Sequence, residues 1–195
     1  VAIVVRLGAG IHDLELGQRV IVAMSPRTGG TYACIFNVPR RCVAPIDDCV
    51  PNNIAASIGY AGLTALQALY AAGLTPQNSS TKHICINGAS GGVGAIALLL
   101  ASDWGAEITA VASTHNHTWL KQLSPCHTVD YRDPCAMADI HADIIINCAS
   151  SSNKETDPLL NLLQKSSTKQ KAYVTTVNPL LTNISNNGLF CGLSH

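Results

Sequence analysis

Apolar positions follow two regimes along the chain, and the change comes near Pro51. Before it, short runs alternate with turns. Val1–Leu7 is apolar apart from Arg6, Gly8-Ala9-Gly10 is a turn, and Gly17-Gln18-Arg19 leads into Val20–Met24. Pro26–Gly30 reads as a loop and Thr31–Val38 as a third run. Runs this short, bounded by glycine and proline, predict strands of a small β-rich module. Pro39–Pro51, with prolines at 39, 45 and 51, reads as an irregular connector. Beyond it, Ile54–Tyr60 and Gly62–Ala72 carry apolar residues at helical spacing, with Asn53 as cap and Gly73 as stop. After polar Thr75–Lys82 the pattern alternates between types. Strands are predicted at His83–Asn87, Glu107–Ala112, Thr128–Asp130, Asp143–Cys148 and Ala172–Val177, and helices at Gly91–Asp103, Thr118–Leu123 and Asp157–Leu163. Ser-rich Ala149–Ser152 and Ser166–Gln170 read as surface loops. Strands alternating with helices imply an α/β fold, a doubly wound parallel sheet covered on both faces.

Composition narrows the classes. Of 195 residues, 47% are hydrophobic and only 12% charged, against a globular norm of roughly 25% charged. That supplies a sizeable core and excludes a disordered chain. Lys+Arg and Asp+Glu both number 12, and a chain with no basic excess is a poor nucleic-acid binder. The longest uninterrupted apolar run considered, Val93–Ala101, is far short of the roughly 18 residues of a membrane span. None of the eight cysteines forms a C-x-x-C pair, and Cys85 and Cys148 lie in apolar strands. Reduced, structural thiols are the expectation. No basic segment suggesting a signal peptide opens the chain. Val1 in place of Met, and His195 directly after an apolar stretch, suggest ends cut from something larger.

The segment Ile84–Gly94 (ICINGASGGVG) carries the chemistry. A buried strand enters, a glycine-rich turn follows and a helix leaves. Gly88 permits a tight exit, Gly91 and Gly92 remove the side chains that would hold a pyrophosphate off the backbone, and Gly94 lets helix and strand pack closely. The helix N-terminus adds free N–H donors and partial positive charge, and Ser90 adds a hydroxyl. With a second strand at the right distance, the pattern predicts a dinucleotide site. An NAD site usually places an acidic residue about 20 positions beyond the glycines to bind the ribose 2′-OH. From Ile108 through Val129 there is no Asp or Glu, and the second strand ends Ala112-Ser113-Thr114-His115-Asn116. Lys121, Tyr131 and Arg132 follow nearby, so NADP(H) is expected. His115-x-His117 is the nearest thing to a metal pair and reads as loop histidines, with no zinc ligand set. Gly88-Ala89-Ser90-Gly91-Gly92 sets a serine after a strand with the G-x-S-x-G spacing of a nucleophile elbow, and no Gly-Lys-Ser/Thr triplet exists for a P-loop.

Ala55–Leu69 (AASIGYAGLTALQAL) together with Asn87–Gly94 resembles the medium-chain dehydrogenase/reductases, nearest their zinc-free quinone oxidoreductase branch. Val129–Arg132 and Ala172–Pro179 are similar to a mitochondrial group within it. The resemblance implies part of a GroES-like substrate domain at 1–50 and a C-terminally incomplete Rossmann domain at 51–195, with NADPH in the cleft between. By position, Ser90, Gly91, Gly92 and Val93 would hold the pyrophosphate, Ser113 and Tyr131 the adenosine 2′-phosphate, and Thr64 and Val177 would lie near the nicotinamide. Hydride would pass to a quinone or an α,β-unsaturated carbonyl with no metal, and no residue stands out as a catalytic proton donor. The implied compartment is mitochondrial or cytoplasmic, and the implied oligomer a homodimer. An enoyl-thioester reductase, or a binding module derived from a reductase, would share the same cofactor site. The family's Leu-Gly-Ala-Asp before the third strand is here Leu123-Ser124-Pro125-Cys126-His127, which predicts a different helix end. Ala172–Leu181 is expected to expose apolar surface and favour self-association.

Overall fold

β2 (Arg19–Val22) is the central strand of a three-stranded antiparallel sheet, between β1 (Ala2–Ile3) and β3 (Val43–Pro45). The computed structural model describes residues 1–24, 31–149, 159–165 and 171–177. The connector predicted as irregular therefore supplies a strand, in register Val20↔Pro45 and Val22↔Val43. Pro45 is tolerated because β3 is an edge strand that spends no N–H there. Thr31–Val38, predicted as a strand, forms none: both edges of β2 are taken, and Tyr32 and Ile35 stay exposed. Arg19 anchors the connector. Its guanidinium donates to the carbonyls of Asp47, Asp48 and Val50 and, at 2.7 Å, to Asn52 Oδ1. Leu14, Val20 and Val43 form this unit's small core, beside a cavity of about 460 Å³ lined by residues of the same unit.

The predicted helix is continuous but not uniform. α1 (Asn52–Ser57) passes through a π-helical turn (Ile58–Gly62) into α2 (Leu63–Ala71). Asn53 lies inside the first turn, and Pro51 holds the cap position without a side-chain hydrogen bond. Gly59 lies against β2: a Cβ there would come within 2.9 Å of Ile21 Cδ1. Gly73, at φ 77°, ends the helix, with Leu74 N–H donating to Leu69 O at 3.0 Å. Asn52–Ala71 is long and apolar enough to cross a membrane by length and composition, with a mean hydropathy of 1.3. Counting uninterrupted apolar runs overlooks it, because Ser57, Thr64 and Gln67 break the run without breaking the helix. Its second half is spent on a globular core, with Ala65, Ala68 and Leu69 fully buried. The chain divides into two compact units inside this helix, Val1–Leu63 and Thr64–His195.

The second unit is built on β4 (His83–Asn87), β5 (Glu107–Val111), β6 (His127–Val129), β7 (Ile144–Asn147) and β8 (Ala172–Thr175). They lie in the order β6-β5-β4-β7-β8, and every pair is parallel. Strand alternation buries two faces. Ile84, Ile86, Ile144 and Ile146 pack on one side with α2, α3 (Gly92–Asp103) and α4 (His117–Leu123). Cys85, Ile145 and Tyr173 pack on the other with Leu159 and Leu162, the latter on α6 (Leu160–Lys165). At the N-terminal edge, buried polar groups answer one another: Asp143 Oδ2 accepts from His83 N–H at 3.1 Å, and His83 Nε2 bonds Thr109 Oγ1 at 2.9 Å.

Strand and helix positions match the sequence expectation within a residue or so for β4 to β7, α3 and α4. α5 (Pro134–Ala138) was not foreseen; Asp133 caps it by accepting from the Cys135 and Ala136 amides at 3.0 and 3.1 Å. At the departure from the family's pattern, α4 ends with Ser124 in an extended conformation before Pro125, rather than in a glycine turn. The loops expected at Pro26–Gly30 and Ser166–Gln170 lie outside the described residues, as do Ala149–Ser152 beyond Ala149 and Ala172–Leu181 beyond Val177.

Candidate functional site

β4 is where the winding reverses. The chain leaves it toward β5 on one side, and β7 returns on the other. Ligands of doubly wound sheets bind outside the carboxyl ends of the strands at such a point. The glycine turn stands there, and its amides sort into two sets. Gly88 and Ala89 N–H both donate to Val111 O, at 3.0 and 3.1 Å, and Gly91 N–H donates to Gly88 O at 3.0 Å. These hold the turn together. Ala95 N–H is bound to Gly91 O at 2.8 Å. Among the described residues, the amides of Ser90, Gly92 and Val93 have no hydrogen-bond acceptor. Gly91, expected to offer its amide outward, spends it inward. What it leaves to a ligand is a missing side chain.

The floor of the turn is closely packed. A Cβ on Gly94 would lie 2.2 Å from Gly88 O and 2.9 Å from Ala89 Cα. Gly88 has φ 76°, and a Cβ there would meet Ala149 at 3.0 Å. Free amides over such a floor, at the start of a twelve-residue helix, form a cradle that fits a pyrophosphate.

The remaining strand ends carry the other candidates. Ser113 follows β5 and is half-buried, its Oγ accepting from Asn116 Nδ2 at 3.3 Å. Tyr131 follows β6, is 56% exposed, and has the Arg132 guanidinium 5.5 Å above its ring. Val177 follows β8 and is also exposed. Thr64 is half-buried in the first turn of α2. The His117 ring is engaged by the backbone: its Nε2 lies 3.1 Å from Ala112 O. Among the described residues no three His, Cys, Asp or Glu side chains gather.

One carboxylate escaped the sequence argument. Asp130 lies one residue past the Ile108–Val129 stretch that holds no Asp or Glu, just after β6, and the parallel register β5–β6 sets it beside the tip of β5. Its Oδ2 accepts from the amide of Thr114 at 2.9 Å and from the Thr114 hydroxyl, and Arg132 donates to both of its oxygens at 3.1 and 2.9 Å. The tip of β5 is therefore not free of carboxylate, but the charge is paired. The Arg132 guanidinium, followed by the Thr114 hydroxyl, holds the Asp130 carboxyl well below its ordinary 3.8. A depressed folded pKa contributes stability above the unfolded pKa and loses it as pH falls. Asp130→Asn should thus melt below wild type at neutral pH, the gap closing as pH drops through about 4 toward 2.5. Melting curves across that range check it, and a constant gap would contradict it.

No protein-family model matches the chain. Similar proteins are nevertheless evident. NAD(P)H oxidoreductase RTN4IP1, mitochondrial, of Drosophila melanogaster is 31% identical over 202 residues, covering 96% of this chain and 47% of that protein. The chloroplast envelope quinone oxidoreductase homolog of Arabidopsis thaliana is 32% identical over 154 residues, covering 75% of this chain and 47% of its own length. The quinone oxidoreductase from Coxiella burnetii superposes with a TM-score of 0.73 at 24% identity, covering 88% of this chain and 52% of that one. The chain is thus similar to NAD(P)H and quinone oxidoreductases, and its fold is that of the medium-chain dehydrogenase/reductases.

It spans about half the length of the relatives it matches. In medium-chain reductase terms, the antiparallel sheet is the GroES-like part and the five-stranded parallel sheet the Rossmann part. Along the carboxyl edge of that Rossmann sheet, Ser90–Val93, Ser113, Tyr131 and Val177 follow four of the five strands. The sequence reading missed Asp130 and Thr114, whose signal was the Val129–Arg132 segment itself. It also missed Asn87 and Asn147, polar residues that close two apolar strands.

Proposed function

We propose that this medium-chain reductase binds NADPH on the β4 turn and passes its hydride to a quinone or an α,β-unsaturated carbonyl, with no metal polarising the acceptor. The set of free amides at Ser90, Gly92 and Val93 over a floor closed to side chains carries the reading. The dihydronicotinamide supplies the hydride chemistry when bound. The chain's own part is binding and orientation. Three amides and the α3 N-terminus hold the pyrophosphate, with Ser90 adding its hydroxyl. Ser113 and Tyr131, with Arg132, receive the 2′-phosphate, where Arg132 also offsets Asp130. Thr64 and Val177 border the nicotinamide. The mitochondrial relatives support a mitochondrial site of action.

Titration of the chain with NADPH, read by nucleotide fluorescence and by thermal melting, tests this. A ligand at a hundred times its Kd stabilises by about 2.7 kcal/mol, which moves the melting temperature by several degrees. No fluorescence change and no shift up to millimolar NADPH would overturn the proposal. Comparing turnover of quinones, simple enones and enoyl thioesters by the whole protein separates the acceptor classes.

A further inference from the structure

We infer that Asn147 is a positioning residue of the nucleotide site: its carboxamide sets the wall on which the glycine turn rests, and its neutrality keeps a buried charge away from an anionic ligand. The inference rests on the nucleotide reading above. Asn147 ends β7, is fully buried, and stands at the register position of Asn87, which ends β4. Its Oδ1 accepts from Asn87 Nδ2 at 3.0 Å and from the Ala149 amide at 3.1 Å, and its Nδ2 donates to the Tyr173 hydroxyl at 2.8 Å. One side chain thus joins the carboxyl ends of β4 and β7 to the Tyr173 hydroxyl of β8 and holds its own following residues against the sheet. Gly88 leaves no clearance against those residues. A Cβ there would lie 3.0 Å from both Cβ and N of Ala149, and 3.1 Å from Cys148 C. Asn147 therefore fixes the Ala149 amide, Ala149 fixes Gly88, and Gly88 starts the turn that presents Ser90, Gly92 and Val93.

An aspartate of the same shape could keep this geometry. One oxygen would accept from Asn87 and Ala149, the other from the Tyr173 hydroxyl, whose proton can turn. It would differ in charge. The titratable groups around the position are Tyr173 on β8, Cys85 on the same face of β4, and Cys148. Leu159 and Leu162, packed on that face, are apolar. Among these described residues there is no cation to neutralise a carboxylate, so an ionised side chain introduced in place of Asn147 would act on the ligand directly. Asn147→Asp and Asn147→Ala separate the two roles, since the first adds charge in the same shape and the second removes the shape without adding charge.

NADP⁺ binding by wild type, N147D and N147A is titrated from pH 5.5 to 8.5, with melting curves at each pH. N147D is expected to bind closest to wild type at pH 5.5, where burial without a counter-cation leaves the most of its carboxyl protonated, and about tenfold or more weaker at pH 8.5. The ratio to wild type cancels titration of the ligand's own phosphate. N147A keeps neutrality but loses the acceptor, and should bind weakly at every pH with a flat ratio. A flat ratio for N147D, or wild-type affinity for N147A, overturns the inference, and the second holds even if N147D does not fold. Absence of NADP⁺ binding by wild type would instead bring down the nucleotide reading itself.

Discussion

Gly94→Ala is expected to destabilise the chain by about 3 kcal/mol and to abolish nucleotide binding. The added methyl has nowhere to go. Its Cβ would lie 2.2 Å from Gly88 O and 2.9 Å from Ala89 Cα, both backbone atoms of the turn. Relief requires α3 to withdraw from β4 or the turn to open, and either displaces the amides of Gly92 and Val93. Neighbouring glycines give graded controls. Gly88→Ala meets Ala149 at 3.0 Å and forces a side chain into φ 76°, which costs about 1–2 kcal/mol for the backbone alone. Gly91→Ala meets only Gly88 O, at 3.3 Å, in ordinary extended geometry, and should cost about 1 kcal/mol or less. Urea unfolding with NADP⁺ titration reads both effects. The order Gly94, Gly88, Gly91 is the prediction. A Gly94→Ala chain as stable as Gly91→Ala would mean that the close helix–strand approach does not shape the turn.

That much of the site was legible because a glycine pattern is a constraint on backbone, and backbone constraints are local. The strand before the turn and the helix after it come from period and punctuation in one stretch of about thirty residues. What escaped is what the topology supplies. The acidic residue of a dinucleotide site is defined by distance along the chain from the glycines, and Ile108–Val129 holds none, whereas the sheet places Asp130 beside Thr114 across the β5–β6 register. Asn147 and Tyr173 likewise belong to strands far apart in sequence, and only their adjacency as β7 and β8 makes one network. The N-terminal unit was harder for a different reason. Its apolar runs are short, and which of them pairs depends on competition for the edges of β2. Val43–Pro45 wins with Arg19 binding the connector from Asp47 to Asn52, an interaction no local pattern announces. The length of the helix across Pro51 to Gly73 was visible as two pieces. The π turn that joins them was not, because Ile58–Gly62 looks like a break by spacing.

Ser113→Asp should reverse the nucleotide preference, weakening NADP⁺ by about tenfold or more and strengthening NAD⁺, a swing in their Kd ratio on the order of a hundredfold. Ser113 is the residue at the tip of β5, the place from which an acidic side chain reaches a ribose 2′-OH. Its present hydroxyl can donate to a phosphate. A carboxylate there would accept from the 2′-OH and repel a 2′-phosphate. The substitution is feasible locally, since the Thr114 amide is already engaged by Asp130 and would not draw the new side chain away. Ser113→Ala provides the reference, since it removes the hydroxyl without adding charge and should weaken NADP⁺ only about threefold while leaving NAD⁺ unchanged. Competitive titration of both nucleotides against the three chains reads the ratio directly. An unchanged ratio in Ser113→Asp would place the 2′-phosphate somewhere other than the β5 tip, and with it remove the argument for NADPH over NADH.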